Sequence, residues 1–227
     1  MALIVNMNAQ KECLDEVLAL LKKDITKPDS GFQGKTFYTN YVVKVTDWDN
    51  EIVTSNVKTY SKDGYMDMQS EQANVYQDDK EVMVILPTQQ LAFLNETSKQ
   101  LNSVKFSGAF YEMRYDFFNT SIVERCDIIG DTKVIHARVD HTKNDESVKI
   151  DYFKCTYNFK TQKVVSLTFD YLPEYKIKQY TINYIDYKEV NGYKFLTPKS
   201  HYFNTNGKPL DKYKNYTFQD NRKNGKQ

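Results

Sequence analysis

Residues 153–184 read FKCTYNFKTQKVVSLTFDYLPEYKIKQYTINY, and this stretch decides the fold. Large apolar side chains alternate with polar ones in three runs, 153–159, 165–171 and 180–184. Successive side chains of a β-strand point to opposite faces, so a period of two predicts strands with one apolar and one polar face. The connections are short, and because parallel pairs need crossovers of about a dozen residues, the strands are predicted to be antiparallel.

Similar short runs extend along the chain on both sides of this stretch. Turn-forming residues separate them at 48–50, 62–64, 77–80 and Pro87. The length of 227 residues suits one domain with a sizeable core. The fold class predicted is mainly β, a curved antiparallel sheet. The predicted strands, which include the three runs above, are 41–45, 52–60, 65–70, 81–86, 91–95, 121–129, 133–141, 148–159, 163–172, 175–189, 195–204 and 210–219.

Two stretches have helical spacing instead, 11–25 and the less regular 97–118. A long antiparallel sheet with one apolar face must hide that face, either by closing on itself or by wrapping something apolar. The two predicted amphipathic helices could cover this apolar face. The sequence therefore predicts a curved sheet wrapped around helices.

The N-terminus favours export. Residues 1–10 combine a short apolar run with small and polar residues, which resembles the end of a secretory signal peptide, although an ordinary N-terminus is the alternative. A single domain is then predicted over 11–227. Of the three cysteines, Cys126 and Cys155 could form a disulfide in an oxidising compartment, or all three could be unbridged thiols.

Charge and motifs argue against several classes of function. Thirty-one basic against 30 acidic residues leave a net charge of +1, so no nucleic-acid partner is predicted. The sequence has no Gly-x-Ser-x-Gly turn and no glycine-rich phosphate loop. His136 and His141 would point to opposite faces of a regular strand, which disfavours shared metal binding. We expect no catalytic residues, metal or cofactor, and a hydrolase using either histidine is the weakest hypothesis.

Two local signatures carry a family resemblance. Residues 79–91, DKEVMVILPTQQL, and 191–200, NGYKFLTPKS, together with the order of helices and strands, resemble the periplasmic outer-membrane lipoprotein carrier family. The resemblance implies an incomplete β-barrel whose helices form a lid over a hydrophobic cavity for lipoprotein acyl chains. The predicted function is the binding or carriage of such chains or of another lipid or apolar ligand. It also implies a periplasmic protein that exchanges cargo with lipoprotein-sorting components of the inner and outer membranes. We expect a monomer.

The residues predicted to line this cavity come from both helices and from the sheet. For each of them the alternative is ordinary core packing, and the rival function is an envelope interaction or stress-sensing module with the same fold and no lipid cargo. The predicted lining residues are Leu14, Val17, Leu18, Leu21, Phe110, Met113, Phe117, Phe153, Tyr157, Phe169, Tyr180, Ile182 and Tyr184.

Overall fold

The computed structural model describes residues 15–16, 34–97, 120–143, 149–161 and 163–222. Strands dominate these residues, which confirms the predicted class. The strands are β1 (Thr36–Thr46), β2 (Ile52–Lys62), β3 (Tyr65–Gln69), β4 (Asn74–Gln77), β5 (Glu81–Leu86), β6 (Leu91–Glu96), β7 (Ser121–Ile129), β8 (Thr132–Val139), β9 (Ile150–Asn158), β10 (Lys163–Tyr171), β11 (Gln179–Val190) and β12 (Thr217–Asp220).

All twelve strands belong to one sheet with the order β12-β6-β5-β4-β3-β2-β1-β11-β10-β9-β8-β7. The successive pairs from β2 to β6 and from β7 to β11 are antiparallel, as the short connections predict. β12 is parallel to β6. Within the described residues β12 and β7 do not pair with each other, in agreement with the predicted incomplete closure. Apart from residues 15–16, which are helical, both predicted helices lie outside the described residues.

Tight turns set the register of the hairpins. β2 and β3 are joined by Asp63 and Gly64, both with positive φ (42° and 91°), at the predicted turn 62–64. Two consecutive residues with positive φ match the right-handed twist of the flanking strands. The side-chain amide of Gln77 donates a hydrogen bond to the carbonyl of Gly64 at 3.2 Å, so the turn is also held from β4.

Gly64→Ala is expected to lower the free energy of unfolding by about 1–2 kcal/mol. A Cβ at this position would meet no atom within 4 Å, so the loss would come from the backbone conformation alone. Gly64→Asn is the matched control and should lose less, since asparagine tolerates left-handed backbone. Urea unfolding measures both. Equal midpoints for wild type and Gly64→Ala would contradict the prediction.

The C-terminal strands were predicted too long. Residues 195–204 form no strand but contain a 3-10 helix at Pro198–His201, because proline lacks the N–H that a strand ladder needs. Of 210–219, only the end lies in β12, and Asp211–Tyr213 is a second 3-10 helix. The four-residue β4, between two turns, was not predicted.

Two compact units are distinguished by their internal contacts. Unit 1 includes 41–54 and 110–185, and unit 2 includes 29–40, 55–109 and 186–227. The single domain over 11–227 stays a prediction. Within the described residues no helix is both long and apolar enough to cross a bilayer. The core of unit 1 is formed by Ile135, Ala137, Val139, Phe153, Cys155, Tyr157 and Leu167. The core of unit 2 is formed by Tyr76, Met83, Ile85, Ala92, Leu94, Tyr202 and Tyr213.

Candidate functional site

In unit 1 the strand registers bring the predicted sheet residues of the cavity to one face. Phe153 lies opposite Phe169, which in turn lies opposite Tyr180, and these three form a row across β9, β10 and β11. Residues at even spacing along the same strands share this face. Phe153, Tyr157 and Ile182 are buried, whereas Phe169, Tyr180 and Tyr184 are half-buried. The predicted lining residues Leu14, Val17, Leu18, Leu21, Phe110, Met113 and Phe117 lie outside the described residues.

The same face of unit 1 carries a cation. Lys133 of β8 lies opposite Tyr157, and its ammonium group pairs with the carboxylate of Glu16. This ion pair places the helical residues 15–16 beside the apolar face of β8. No sequence pattern indicated this partner of Glu16, because the two residues are far apart along the chain.

The cysteines of unit 1 differ from the prediction. Cys126 is disulfide-bonded, and Cys155 is a buried, reduced thiol. Cys126 and Cys155 both lie opposite Ile135, one on each side of it. Two strand spacings amount to about 10 Å, whereas the Cα atoms of a disulfide are less than about 7 Å apart. Neither alternative left open by the sequence, a Cys126–Cys155 disulfide or three unbridged thiols, is therefore correct.

In unit 2 one face of the sheet is covered by the C-terminal segment. The row Tyr60–Asp67–Tyr76–Met83–Leu94 runs across β2 to β6. Tyr202 is fully buried against this face, and its ring stacks on Tyr213 and Phe218 at centroid distances of 5.1 and 5.4 Å. The 3-10 helix that replaces the predicted strand thus completes the core of unit 2.

The opposite face of the same strands is also apolar. The row Thr59–Met68–Val75–Val84–Phe93 crosses β2 to β6, and its neighbour contains Met66 and Val82. Met66 is 3% exposed, and the other apolar members are half-buried. We call this surface the Met68 face. It consists of Met66, Met68, Val75, Val82, Val84 and Phe93.

The sequence contained a signal for the Met68 face that the prediction did not use. Residues 82–86 read VMVIL, a continuous apolar run rather than an alternation. Such runs are typical of strands that are covered on both faces. The prediction placed every sheet residue of the cavity in unit 1, and it therefore missed the corresponding surface in unit 2.

Two hydroxyl groups lie on the same side of β2 as the Met68 face. Ser55 and Thr59 have the same parity as the buried Val57, and Thr59 lies opposite Met68. The Ser55 Oγ and Thr59 Oγ1 atoms are buried, and neither has a hydrogen-bond partner in the described part of the chain. A buried hydroxyl without a hydrogen-bond partner is unfavourable, so a polar group brought within reach of either atom would be stabilised.

A buried polar cluster lies under the C-terminal segment of unit 2. The Tyr193 hydroxyl donates a hydrogen bond to Asp67 Oδ2 at 2.5 Å, and His201 Nε2 is 4.0 Å from Asp67 Oδ1. The His201 ring stacks on Tyr76 with centroids 3.6 Å apart, and Tyr193 stacks on Tyr60 at 3.8 Å. Asp67 is 2% exposed. These contacts fasten the segment to the sheet.

Burial dominates the protonation equilibria of this cluster. It raises the pKa of Asp67, an effect that the hydrogen bond from Tyr193 opposes. It lowers the pKa of His201 to about 4, and the charge of Lys212 adds to that effect. It also raises the pKa of Tyr76 to about 12. His201 is therefore neutral at neutral pH, in a cluster that the chain itself covers.

His136 and His141 do not form a common site. His136 lies on the polar face of β8, where its Nε2 is 3.2 Å from Arg125 Nη2 and 3.6 Å from Asp127 Oδ2. Burial and the charge of Arg125 lower the pKa of His136. His141 follows β8 in an exposed turn. Among the described residues no three His, Cys, Asp or Glu side chains are grouped to hold a metal ion. The absence of catalysis stays a prediction.

No protein-family model matches the sequence, and no curated protein is significantly similar to it. Similar solved structures include an uncharacterized conserved protein from Thermus thermophilus, with 8% identity over 92% of this chain and 98% of that one and a TM-score of 0.45. A LolA superfamily protein from Nitrosomonas europaea is 12% identical, with 80% of this chain and 97% of that one covered and a TM-score of 0.37. A putative outer membrane lipoprotein-sorting protein domain from Vibrio parahaemolyticus is also 12% identical, with 80% of this chain and 95% of that one covered and a TM-score of 0.36. The family that the sequence resembles is thus among the similar structures.

Proposed function

We propose that this protein is a non-catalytic binder of an apolar ligand, such as the acyl chains of a lipoprotein or another lipid, and that the Met68 face contacts the ligand. One observation carries the proposal. The strands β3 to β6 present apolar side chains on both faces, and the C-terminal segment that contains Tyr202 covers the face opposite to Met68. An apolar ligand bound to the Met68 face would shield that second face from water as well.

Shielding apolar surface is sufficient to hold such a ligand. Each buried CH₂ group contributes about 0.8 kcal/mol, so an acyl chain gains affinity with length and without covalent chemistry. The flexible side chains of Met66 and Met68 suit ligands of irregular shape. Ser55 and Thr59 would hydrogen-bond the polar end of the ligand. In unit 1, Phe153 and Tyr157 lie on an apolar face of the sheet and are buried in the core.

Location and partners form part of the proposal. The disulfide at Cys126 favours an oxidising compartment and therefore supports export to the periplasm. Carriage between membranes would need partners that bind the same cargo with different affinities, which is the role we assign to lipoprotein-sorting components. A monomer suffices for this role.

The second candidate function is an envelope interaction module without lipid cargo. β7 is the outermost strand at one end of the sheet order, and Ile122 and Ile128 on it are 54% and 67% exposed. An exposed apolar edge strand is a common docking surface for another chain. This candidate predicts capture of a partner protein through β7 and purified protein free of lipid.

Val84→Asp is expected to weaken ligand binding at least about tenfold, because a carboxylate would replace a half-buried apolar group at the centre of the Met68 face. Native mass spectrometry of the purified protein and displacement of a fluorescent fatty acid measure the effect, and circular dichroism checks the fold. Ile52→Asp makes a comparable change at a side chain that is 55% exposed and lies on the opposite side of β2 from Ser55 and Thr59, and it should bind like wild type.

Two results would contradict the proposal. One is undiminished fatty-acid binding by a folded Val84→Asp variant. The other is wild-type protein that carries no lipid and binds no fatty acid. If Val84→Asp does not fold, Val84→Thr, which keeps the shape and replaces one methyl group by a hydroxyl group, should reduce binding by a smaller factor in a folded protein.

A further inference from the structure

We propose that the tip of the β7–β8 hairpin docks unit 1 onto the surface of a bilayer that contains anionic phospholipid. Ile128 and Ile129, the last two residues of β7, are each 67% exposed, more than any other large apolar side chain in the described part of the chain. Neighbouring residues of a strand point to opposite faces of the sheet. Since both isoleucines are exposed, neither face of the sheet is covered at this tip.

The connection between the two strands is too short to cover the isoleucines. β7 and β8 are joined by Gly130 and Asp131 alone, and Ile129 pairs with Thr132 across the turn. Gly130 has a positive φ of 59°, which suits a two-residue hairpin turn. Turns are normally formed by small and polar residues, so the turn itself does not require an apolar pair beside it. Two adjacent apolar side chains on such a tip can instead enter the boundary between lipid headgroups and acyl chains.

The neighbouring β9–β10 turn brings lysines to the same tip. The Phe159 N–H donates a hydrogen bond to the carbonyl of Asp131 at 3.1 Å, so the two turns lie side by side. Lys160 Nζ is 2.7 Å from Asp131 Oδ1, and Lys133 Nζ lies 5.9 Å from the centre of the Phe159 ring. Lysine side chains can keep their ammonium groups among the headgroups while their apolar stems follow the isoleucines.

The charge of the tip is complementary to anionic lipid. Residues 128–133, 158–161 and 163 contain three lysines and one aspartate, which gives a net charge of +2. Glu16 pairs with Lys133, and counting it leaves +1. Exposed apolar side chains flanked by basic residues are typical of surfaces that bind anionic membranes.

The opposite end of the same strands has the opposite charge. The β9–β10 turn precedes β10 and residues 172–178 follow it, so these two connections lie at opposite ends of the strand. Trp48 Nε1 donates to the carbonyl of Tyr175 at 2.6 Å, which joins 172–178 to the β1–β2 turn, 47–51. These two segments contain four acidic residues and two lysines, a net charge of −2. Trp48 and Tyr175 are also exposed, but an anionic surface would repel this end and attract the tip with Ile128 and Ile129.

Flotation of the full chain with lipid vesicles tests the docking. Wild type should bind vesicles of equal parts phosphatidylglycerol and phosphatidylcholine at least about fivefold more tightly than vesicles of phosphatidylcholine alone, and added salt should weaken the binding. Ile128→Asn combined with Ile129→Asn should weaken binding to the mixed vesicles at least about tenfold. Ile52→Asn is the matched control, because Ile52 is 55% exposed and follows the turn at the acidic end. It should bind like wild type.

The lysines are tested separately. Lys160→Gln combined with Lys163→Gln should weaken binding to the mixed vesicles at least about fivefold and leave binding to phosphatidylcholine alone unchanged. If the double isoleucine variant does not fold, Ile128→Thr combined with Ile129→Thr keeps the β-branched shape and should reduce binding by a smaller factor. The salt dependence of wild type tests the contribution of charge without any substitution.

Three outcomes would overturn the proposal. They are wild-type protein that does not float with the mixed vesicles, a folded double isoleucine variant that floats like wild type, and capture of a partner protein through β7 without vesicle binding. The Met68 face belongs to unit 2, so the double isoleucine variant should displace a fluorescent fatty acid as wild type does. Failure of membrane docking and failure of the proposed function are therefore distinguishable.

Discussion

Tyr202→Ala is expected to lower the free energy of unfolding by about 3–5 kcal/mol, the range for removal of a large buried aromatic side chain. Tyr202 is 0% exposed and packs against Tyr213, Phe203 and Phe218. Its loss would leave a cavity between the C-terminal segment and the sheet of unit 2. Chemical denaturation followed by fluorescence and circular dichroism measures the change.

Tyr202→Phe distinguishes the contribution of the Tyr202 ring to stability from that of its hydroxyl group. The Tyr202 hydroxyl oxygen is buried without a hydrogen-bond partner in the described residues, so its removal relieves an unsatisfied polar group. We expect a stability equal to wild type or slightly above it. A loss in Tyr202→Phe as large as that in Tyr202→Ala would show that the hydroxyl, not the packing of the ring, stabilises unit 2.

Tyr202 also shows where sequence reasoning reached its limit. The run 195–204 has the aromatic content of a strand, and the sequence pattern places it in the sheet. Pro198 interrupts the ladder, and the segment gains more by covering Met83 and Leu94 than by pairing with another strand. That gain depends on a surface formed by residues more than a hundred positions earlier, which local periodicity does not contain.

Strands with one covered face were predicted well. β9 and β10 lie within two residues of their predicted bounds, because alternation at period two follows directly from strand geometry. The same alternation grouped Phe153, Phe169 and Tyr180 on one face before their registers were known. A strand that is apolar on both faces has an uninterrupted apolar run in its sequence. Such a run does not indicate which side chains point to which face of the sheet. The Met68 face was missed for this reason.

The buried polar cluster was not predictable from spacing. Asp67, Tyr193 and His201 come from β3 and from two points of the C-terminal segment. No motif connects them, and an Asp in a strand pattern normally indicates the solvent-exposed face. Here the register places Asp67 between Tyr60 and Tyr76 on the covered face, where Tyr193 donates to its carboxylate.

Acidification from pH 6.5 to 4 is expected to reduce the contribution of His201 to stability by about 3 kcal/mol. Burial lowers the pKa of His201 in the folded protein to about 4, against 6.5 for an unburied histidine. Between these values the unfolded chain binds the proton and the folded protein does not. The contribution is therefore fully present above pH 6.5 and is lost as the pH falls toward 4.

Asp67 changes the pH dependence of stability with the opposite sign to His201. Burial raises its pKa, so its ionised form is disfavoured in the folded protein, and that penalty diminishes as the pH falls through the pKa of the folded state. The wild-type curve contains both effects, and a variant at His201 is needed to isolate one of them. His201→Phe keeps a ring stacked on Tyr76 and removes the titration.

The free energy of unfolding of wild type minus that of His201→Phe should accordingly fall by about 3 kcal/mol between pH 6.5 and 4. His141→Phe makes the same substitution in the exposed turn after β8 and controls for the loss of a histidine. Urea unfolding at half-unit pH steps gives the three curves. If the wild-type and His201→Phe curves run parallel over this range, burial does not lower the pKa of His201 and the prediction is wrong.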